Sequence, residues 1–430
     1  MSNATKENIY PWLVMIGFFF LGWGSIGTIL CASGVFFVPV CSELGFSFSG
    51  LSWWVTCYAF GMSISMPFVG RLLPKIDSRF LLSCAFLVAI GAMGMMSTYH
   101  HLWQWYVSGT VIGLAGGFIF LVPGPVFLSN WFVKSRGLAL GVSGMGICVG
   151  AAVMGPVGDF LIVNYGWRLT YIILAVICCI LVLPWTIFVI RYSPEKCGMK
   201  PYGWEQSASE GGGTKSSLET GVPFKKAVYS LSFVCLFFVS GSALDGGFSQ
   251  HWPNIALTFG YTTSFGAKMI SMTYLPGIVL IPLAGWLNDH IGARKTSLLL
   301  VVCVACSFIG FLTLYTIPWV VILCCILFTA QSPVVSVQIP LMAREIFGAK
   351  DYAKVLSTIQ IGIGLVGAFS APIIGSFYDL TGSYRGSLYF GLIVSVAVCC
   401  LVLVAYYGKK RLVWEGRQNL SKPIANVVQA

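Results

Sequence analysis

At 430 residues, 57% hydrophobic, 15% aromatic and only 9% charged, the chain has too few charged side chains to coat a soluble globule of its size. Its formal net charge of +11 would suit a nucleic-acid partner if the basic residues formed a patch, but they sit in short segments between apolar runs. A bilayer is therefore the expected environment, and no nucleic acid is expected as a partner.

Apolar runs of about 20 residues let a helix cross the hydrocarbon, and twelve can be drawn along the chain. Helix 1 is expected over about Tyr10 to Pro39, early enough that no cleavable signal is expected before it. It carries Gly22, Gly24, Ser25, Gly27, Thr28 and Ser33, small residues that permit close helix packing. Helix 2, about Leu51 to Leu73, opens with Trp53 and Trp54 and runs through Tyr58, aromatics that suit an interfacial belt or a cavity wall. Helix 3 covers about Phe80 to Ser97. Helix 4 (about Leu102 to Trp131) and helix 5 (about Arg136 to Val163) are dense in glycine, notably Gly113, Gly116 and Gly117, then Gly137, Gly141, Gly144, Gly146, Gly150 and Gly155. Such density implies backbones in contact. Helix 6 covers about Leu169 to Ile190.

Arg191 to Lys226 holds a triple glycine at Gly211 and six basic residues, and reads as a linker. Beyond it come helix 7 (about Val228 to Phe259), helix 8 (Phe265 to Leu287), helix 9 (Thr296 to Leu314), helix 10 (Trp319 to Ala343), helix 11 (Ala353 to Tyr378) and helix 12 (Ser387 to Tyr407). Helices 3, 6, 9 and 12 contain no ionisable Asp, Glu, Lys, Arg or His and no amide side chain, and are expected to face lipid. Polar side chains collect on the others: Asp245, Ser249 and Gln250 on helix 7, Gln331 and Gln338 on helix 10, Gln360 on helix 11.

The turn Gly285 to Lys295 is a short polar stretch between two apolar runs. Moving back 215 residues lands on an equivalent turn, with Gly70 against Gly285, Leu72 against Leu287, Ile76 against Ile291 and Arg79 against Arg294. The same spacing, or one more, pairs Phe132 with Phe347, Pro156 with Pro372, Gly166 with Gly382 and Arg168 with Arg385. The expected fold is therefore an all-α membrane protein of twelve transmembrane helices in two six-helix, pseudo-symmetric halves. Its divisions are an amino-terminal half (1–190), a linker (191–226), a carboxy-terminal half (227–408) and a polar tail (409–430).

If the amino terminus is cytoplasmic, all of the 25 Lys and Arg except Arg168, Lys268 and Arg385 fall on the inner side, which predicts both termini in the cytoplasm. A bacterial plasma membrane is the expected location, and a monomer the expected state. The 15 cysteines are scattered through apolar runs, as in Cys178 and Cys179 or Cys399 and Cys400, without zinc-site spacing. They read as packing residues, and no metal or cofactor is expected.

The turns at Gly70 and Gly285 resemble the signature loop of the major facilitator superfamily, a glycine, an acid, a glycine and a basic residue at fixed spacing between two helices. Ser33–Pro39 before Ser52 and Trp53, Pro67–Leu72, and Gly375–Tyr384 resemble the monocarboxylate and oxalate/formate porters within it. The resemblance implies gating by Gly70, Arg71 and Arg79 in one loop and Gly285, Asp289, Gly292 and Arg294 in the other. In the first loop the family's acid falls on Pro74 and its glycine on Asp77, whereas the second keeps Asp289, Gly292 and Arg294. The basic residue such porters carry before a helix 8 proline is Ile281 before Pro282 here, and the helix 11 lysine of the oxalate porter is replaced by Ile359 and Gln360. The loss of both cations tells against a small dianion. Helix 4 has Ser108 and Gly109 where proton-coupled drug porters carry arginine.

Asp245 lies 17 residues past Val228, about 26 Å along a continuous helix, which places an acid deep in the membrane. Desolvation favours its protonated form, so it is a candidate proton carrier; a hydrogen bond within a helix pair is the plainer role. His251 is a second candidate, and equally an outer-surface histidine. Lys268 reads as snorkelling to the headgroups or attracting an anion. Gln331 and Gln338, two turns apart on one stripe, with Gln360, Trp54, Tyr58 and Tyr274, are candidates for holding a carboxylate or hydroxyl on an amphipathic body; bridging between helices would also account for the amides. No nucleotide loop, nucleophile elbow or catalytic triad is visible, so an enzyme is not expected. The expected function is secondary transport of a monocarboxylate-like or larger amphipathic organic acid, coupled to a proton or counter-substrate. The alternatives are a promiscuous exporter of apolar compounds and a non-transporting membrane receptor.

Overall fold

The structure, a computed structural model, describes residues 3–204, 221–242, 245–412 and 414. Among the described residues the secondary structure is helical apart from two isolated bridges, Phe132 with Tyr202 and Gly221 with Gly348. Among the described residues eight helical stretches are long and apolar enough to cross a bilayer.

The shortfall from twelve apolar runs has local causes. Predicted helix 2 is continuous from Phe48 to Leu72, but its serines and aromatics dilute its apolar character. Predicted helix 4 divides into Leu102–Gly116 and Pro123–Trp131. Predicted helix 7 is interrupted at Ser242, which ends Leu231–Gly241, and helix is described again over Asp245–Thr258, so Asp245 lies past a break and not two-thirds along a continuous helix. Predicted helices 5 and 6 form one unbroken assignment, Arg136–Pro184, whose sole non-helical residue is Gly166, at φ 79° and ψ 158°. Gly146 stands against Phe19 while Ile190 stands against Gly17. A straight helix would hold those two points about 66 Å apart, so the chain doubles back at Gly166, where only glycine adopts such a φ without strain.

Further interruptions follow proline and glycine. Helix 1 passes from Asn3–Gly22 into a π-helical stretch, Trp23–Cys31, and then a 3₁₀ turn, Ala32–Phe36. Predicted helix 8 is Thr263–Tyr274 and Gly277–Ile291, broken at Leu275 and Pro276. Predicted helix 10 contains the π segment Val334–Gln338, flanked by Pro333 and Pro340, which have no N–H to return to the preceding turn. Predicted helix 11 is Tyr352–Leu365 and Ser370–Thr381 around a 3₁₀ turn at Gly367–Phe369.

Residues 3–204 and 221–412 meet chiefly along two helix pairs. Gly277–Ile291 packs on Arg136–Pro184, and Tyr352–Leu365 packs on Phe48–Leu72. The continuations of the same two helices turn elsewhere. Thr263–Tyr274 packs mainly on Asp245–Thr258 and Pro318–Phe328, and Ser370–Thr381 on Asp245–Thr258 and Arg385–Lys409, all within their own group. The two groups are therefore closed together at the end carrying the Gly285–Arg294 turn, here termed the turn end, and diverge toward the opposite end. Apolar rows such as Ile172, Val176 and Ile180, spaced by one helical turn, are exposed on the perimeter, as a lipid-facing surface requires.

Candidate functional site

At the turn end the Asp289 carboxylate accepts hydrogen bonds from two backbone amides, Gly137 N–H at 2.8 Å and Leu138 N–H at 2.9 Å. These amides belong to the first turn of the helix opening at Arg136, where N–H groups lack intrahelical partners and the helix dipole favours an anion. Gly285 makes the approach possible: any Cβ there would overlap the Gly137 carbonyl and crowd the Leu138 nitrogen. Gly70 stands in the same relation to Ala353 and Lys354 on the other helix pair. The close crossing is thus duplicated at the 215-residue spacing, and the acid clamp is not. Pro74 occupies the acid's place and is exposed, while Asp77 accepts from Arg79 N–H at 3.0 Å and caps its own helix.

The remaining residues of the two turns are arranged more loosely. Arg71 and Arg79 are exposed. Gly292, at φ 86°, ends one helix and starts the next. Arg294 lies over the Tyr406 ring at 5.9 Å. At the start of Tyr352–Leu365, Asp351 accepts from Phe224 N–H at 3.0 Å and Lys354 Nζ at 2.8 Å. Burial opposes ionisation of Asp351, but these donors and Lys350 hold its carboxyl below the usual carboxylate range.

Toward mid-depth the predicted site residues separate into several environments. Gln331 is buried and its Nε2 donates to the Ser242 carbonyl at 2.9 Å, at the point where Leu231–Gly241 ends. An amide donor from a neighbouring helix thus meets a carbonyl at a helix end. Gln338 is the last residue of the π segment, and this breaks the two-turn stripe expected from regular helix geometry. It is fully buried between Ser297 and the Ala284 carbonyl, at 3.4 and 3.5 Å, an arrangement that bridges three helices. Gln360 is 1% exposed and, among the described residues, its Oε1 has no hydrogen-bond partner. It sits one turn from both Ser357, which faces Gly70, and Gly364, which faces Ser63.

Trp54 and Tyr58 are buried where their backbones cross Gly109 and Gly113, and Tyr58 borders a small cavity with Ser25, Leu30, Ala89 and Ile112. Tyr274 is half-buried and ends the helix before the Leu275–Pro276 interruption. His251 Nδ1 is 3.2 Å from the Tyr384 hydroxyl, toward the end opposite the turn, which separates it from Gln331. Lys268 is exposed. The backbone of Asp245 is helical three residues past Ser242, while its side chain lies outside the described residues.

The interruptions themselves escaped the reading of apolar runs, although Pro276, Pro333 and Pro340 signal two of them. Those of predicted helices 1, 4, 7 and 10 recur at the internal spacing, whereas those of helices 8 and 11 fall opposite uninterrupted helix. Trp23–Cys31 shifted by 215 residues overlies the break between Gly241 and Asp245, and the gap between Gly116 and Pro123 overlies Val334–Gln338.

The Major Facilitator Superfamily profile matches residues 12–344 and 252–426. The chain belongs to the Major Facilitator Superfamily. It is accordingly a transporter and not an enzyme, and among the described residues no His, Cys, Asp and Glu group could hold a metal. Its relatives are heterogeneous. It is 23% identical over 388 residues to monocarboxylate transporter 13 of Rattus norvegicus, covering 88% of this chain and 85% of that protein. It is 26% identical over 150 residues to the riboflavin transporter RibJ of Trypanosoma cruzi (strain CL Brener), a match of only 33% of this chain and 32% of the relative's length. Among solved structures, the proton:xylose symporter XylE bound to 6-bromo-6-deoxy-D-glucose superposes with a TM-score of 0.66 at 13% identity, covering 94% of this chain and 96% of that one. That likeness extends the superfamily fold to nearly the whole chain.

Proposed function

We propose that this superfamily member is a proton-coupled secondary transporter for a monocarboxylate-like or larger amphipathic organic acid. It works by alternating access between two six-helix halves, with both termini in the cytoplasm and as a monomer. The observation that carries this reading is the recurrence of helix interruptions at corresponding positions of the two halves. Interrupted helices expose backbone donors and acceptors at membrane depth, where they are tolerated only if they line a cavity or meet protein partners. The conformation described is the one closed at the cytoplasmic end and open outward. Ser242 and Gln331 would frame the substrate on one side, and Tyr58 beside the π segment of helix 1 on the other. Several curated relatives carry monocarboxylate transporter names, which supports the acid. The absence of any Lys or Arg from both interrupted stretches of helices 1 and 7 favours a substrate held by amides and aromatics over a compact dianion.

Asp245 is the proposed coupling residue. Asp245→Asn mimics the protonated acid, and should retain exchange of labelled substrate across proteoliposomes while losing accumulation driven by a pH gradient. Exchange needs only the loaded carrier to reorient, whereas net transport also needs the proton to leave. Retained pH-driven accumulation in the folded variant would remove Asp245 from coupling and leave His251 or facilitated diffusion.

A further inference from the structure

Both described ends of the linker are built into the loops that precede the helix starts met across the closed turn end. Residues 191–204 gather on the end of Pro123–Trp131, where the Trp131 indole donates to the Arg191 carbonyl at 2.8 Å and Asn130 Nδ2 to the Tyr192 carbonyl at 3.2 Å. Tyr202 then pairs with Phe132. Its N–H donates to the Trp131 carbonyl at 2.8 Å, and its own carbonyl accepts from Val133 and Lys134 N–H at 3.0 and 3.3 Å. The Trp12 ring packs edge-on against both Phe132 and Tyr202. Ser135 follows at φ 60°, and Arg136 Nε returns to the Phe132 carbonyl at 2.5 Å. Next come Gly137 and Leu138, the two amides that donate to Asp289. At the linker's other end Gly221 pairs with Gly348, Val222 N–H donates to the Phe347 carbonyl at 2.8 Å, and Phe224 N–H donates to Asp351 at 3.0 Å. Beyond that loop lie Ala353 and Lys354, which Gly70 meets. Phe132 and Phe347 stand 215 residues apart, so the linker holds the same loop in each half.

A serine in the left-handed region is unfavourable alone and persists where its surroundings hold it. The bonds from Val133 and Lys134 to Tyr202, on one side, and the helix opening at Arg136, on the other, do so here. Close backbone approach makes both docks possible. Gly203 is at φ 82° and a Cβ on it would stand 2.6 Å from Lys134 Cβ; a Cβ on Gly221 would stand 2.8 Å from the Phe347 carbonyl oxygen and 3.0 Å from the Lys350 nitrogen. Donors already fixed in place lose less freedom when an acceptor arrives, so a preformed helix start strengthens the contact it receives. We propose that Tyr202 and Gly203 at one end of the linker, and Gly221 and Val222 at the other, are positioning residues for closure, fixing the helix starts at Arg136 and Tyr352 in the geometry that Asp289 and Gly70 require. The effect on turnover rests on the alternating-access reading, whereas the positioning of the amides does not.

The test is hydrogen–deuterium exchange of the purified full-length protein, read at the Gly137 and Leu138 amides, together with turnover in proteoliposomes. Gly203→Ala should speed exchange at both amides by about tenfold and slow turnover, although those amides donate to Asp289 and not to the linker. Asp289→Ala should do the same. Adding Gly203→Ala to it should change either readout by no more than about twofold, because the two act through one contact. Gly221→Ala acts on the other contact, so its effect on turnover should multiply with that of Asp289→Ala. Unchanged exchange at Gly137 and Leu138 in folded Gly203→Ala overturns the proposal, and so do effects of Gly203→Ala and Asp289→Ala that multiply in full. If Gly203→Ala does not fold, Tyr202→Pro, which removes the N–H that meets Trp131, carries the same two readouts. In a protein that moves no substrate under any gradient the exchange still decides the positioning, so the two proposals fail separately.

Discussion

Asp289 shows how much one side chain decides at the turn end. It satisfies two amide donors at a helix start, and its amide replacement keeps the shape while removing the charge and half of the acceptor capacity. Asp289→Asn should cost the closed state about 2 kcal/mol, roughly thirtyfold in the balance between closed and open turn ends. The expected readout is slowed turnover with substrate affinity largely kept, because the contact lies away from the proposed site. Pro74→Ala should change turnover by no more than about twofold, since exposed positions without partners contribute little. Turnover falling as far at Pro74 as at Asp289 would show that the two loops are equivalent despite the missing acid.

At the scale of elements, the interruption of predicted helix 7 depends on a partner. The Ser242 carbonyl ends Leu231–Gly241 and is satisfied by Gln331 from another helix. Gln331→Ala removes a hydrogen bond to a buried carbonyl, a cost of about 0.5–1.5 kcal/mol. Because that carbonyl sits three residues before Asp245, the loss should also weaken substrate affinity in an equilibrium binding measurement. Gln338→Ala removes longer contacts, at 3.4 and 3.5 Å, from a bridge between helices. It should lower the unfolding midpoint and leave affinity unchanged. The opposite pattern would exchange the roles assigned to the two glutamines.

For the molecule as a whole, the closed seam offers a direct test of motion. A Cβ placed on Gly277 would lie 2.8 Å from Cys148 Sγ, across the main contact between the two groups of helices. Gly277→Cys should therefore form a disulfide with the native Cys148 under oxidising conditions, since that spacing suits an S–S link. Transport should stop on oxidation and return with a reductant, while wild type is unaffected by either treatment. Transport that persists in a fully crosslinked sample would mean this seam stays closed throughout the cycle.

Much of this was legible in the amino-acid order, because solvation and chain repetition act locally. Apolar run lengths dictate a bilayer, a turn repeated at a fixed offset marks the two glycines at which distant helices cross closely, and Pro74 in place of an acid predicts that only one loop retains its charge pattern. Gly70 and Gly285 could be singled out by position, but the carbonyls they admit, Ala353 and Gly137, are 283 and 148 residues away and were visible only after folding. The same holds for Gln331 and Gln338, identical residues on one predicted stripe that meet different partners because a π segment rotates one against the other. Periodicity and hydropathy specify which residues enter the membrane; which of them touch is decided by helix interruptions and by the crossing of distant glycines, and no local pattern records those pairings.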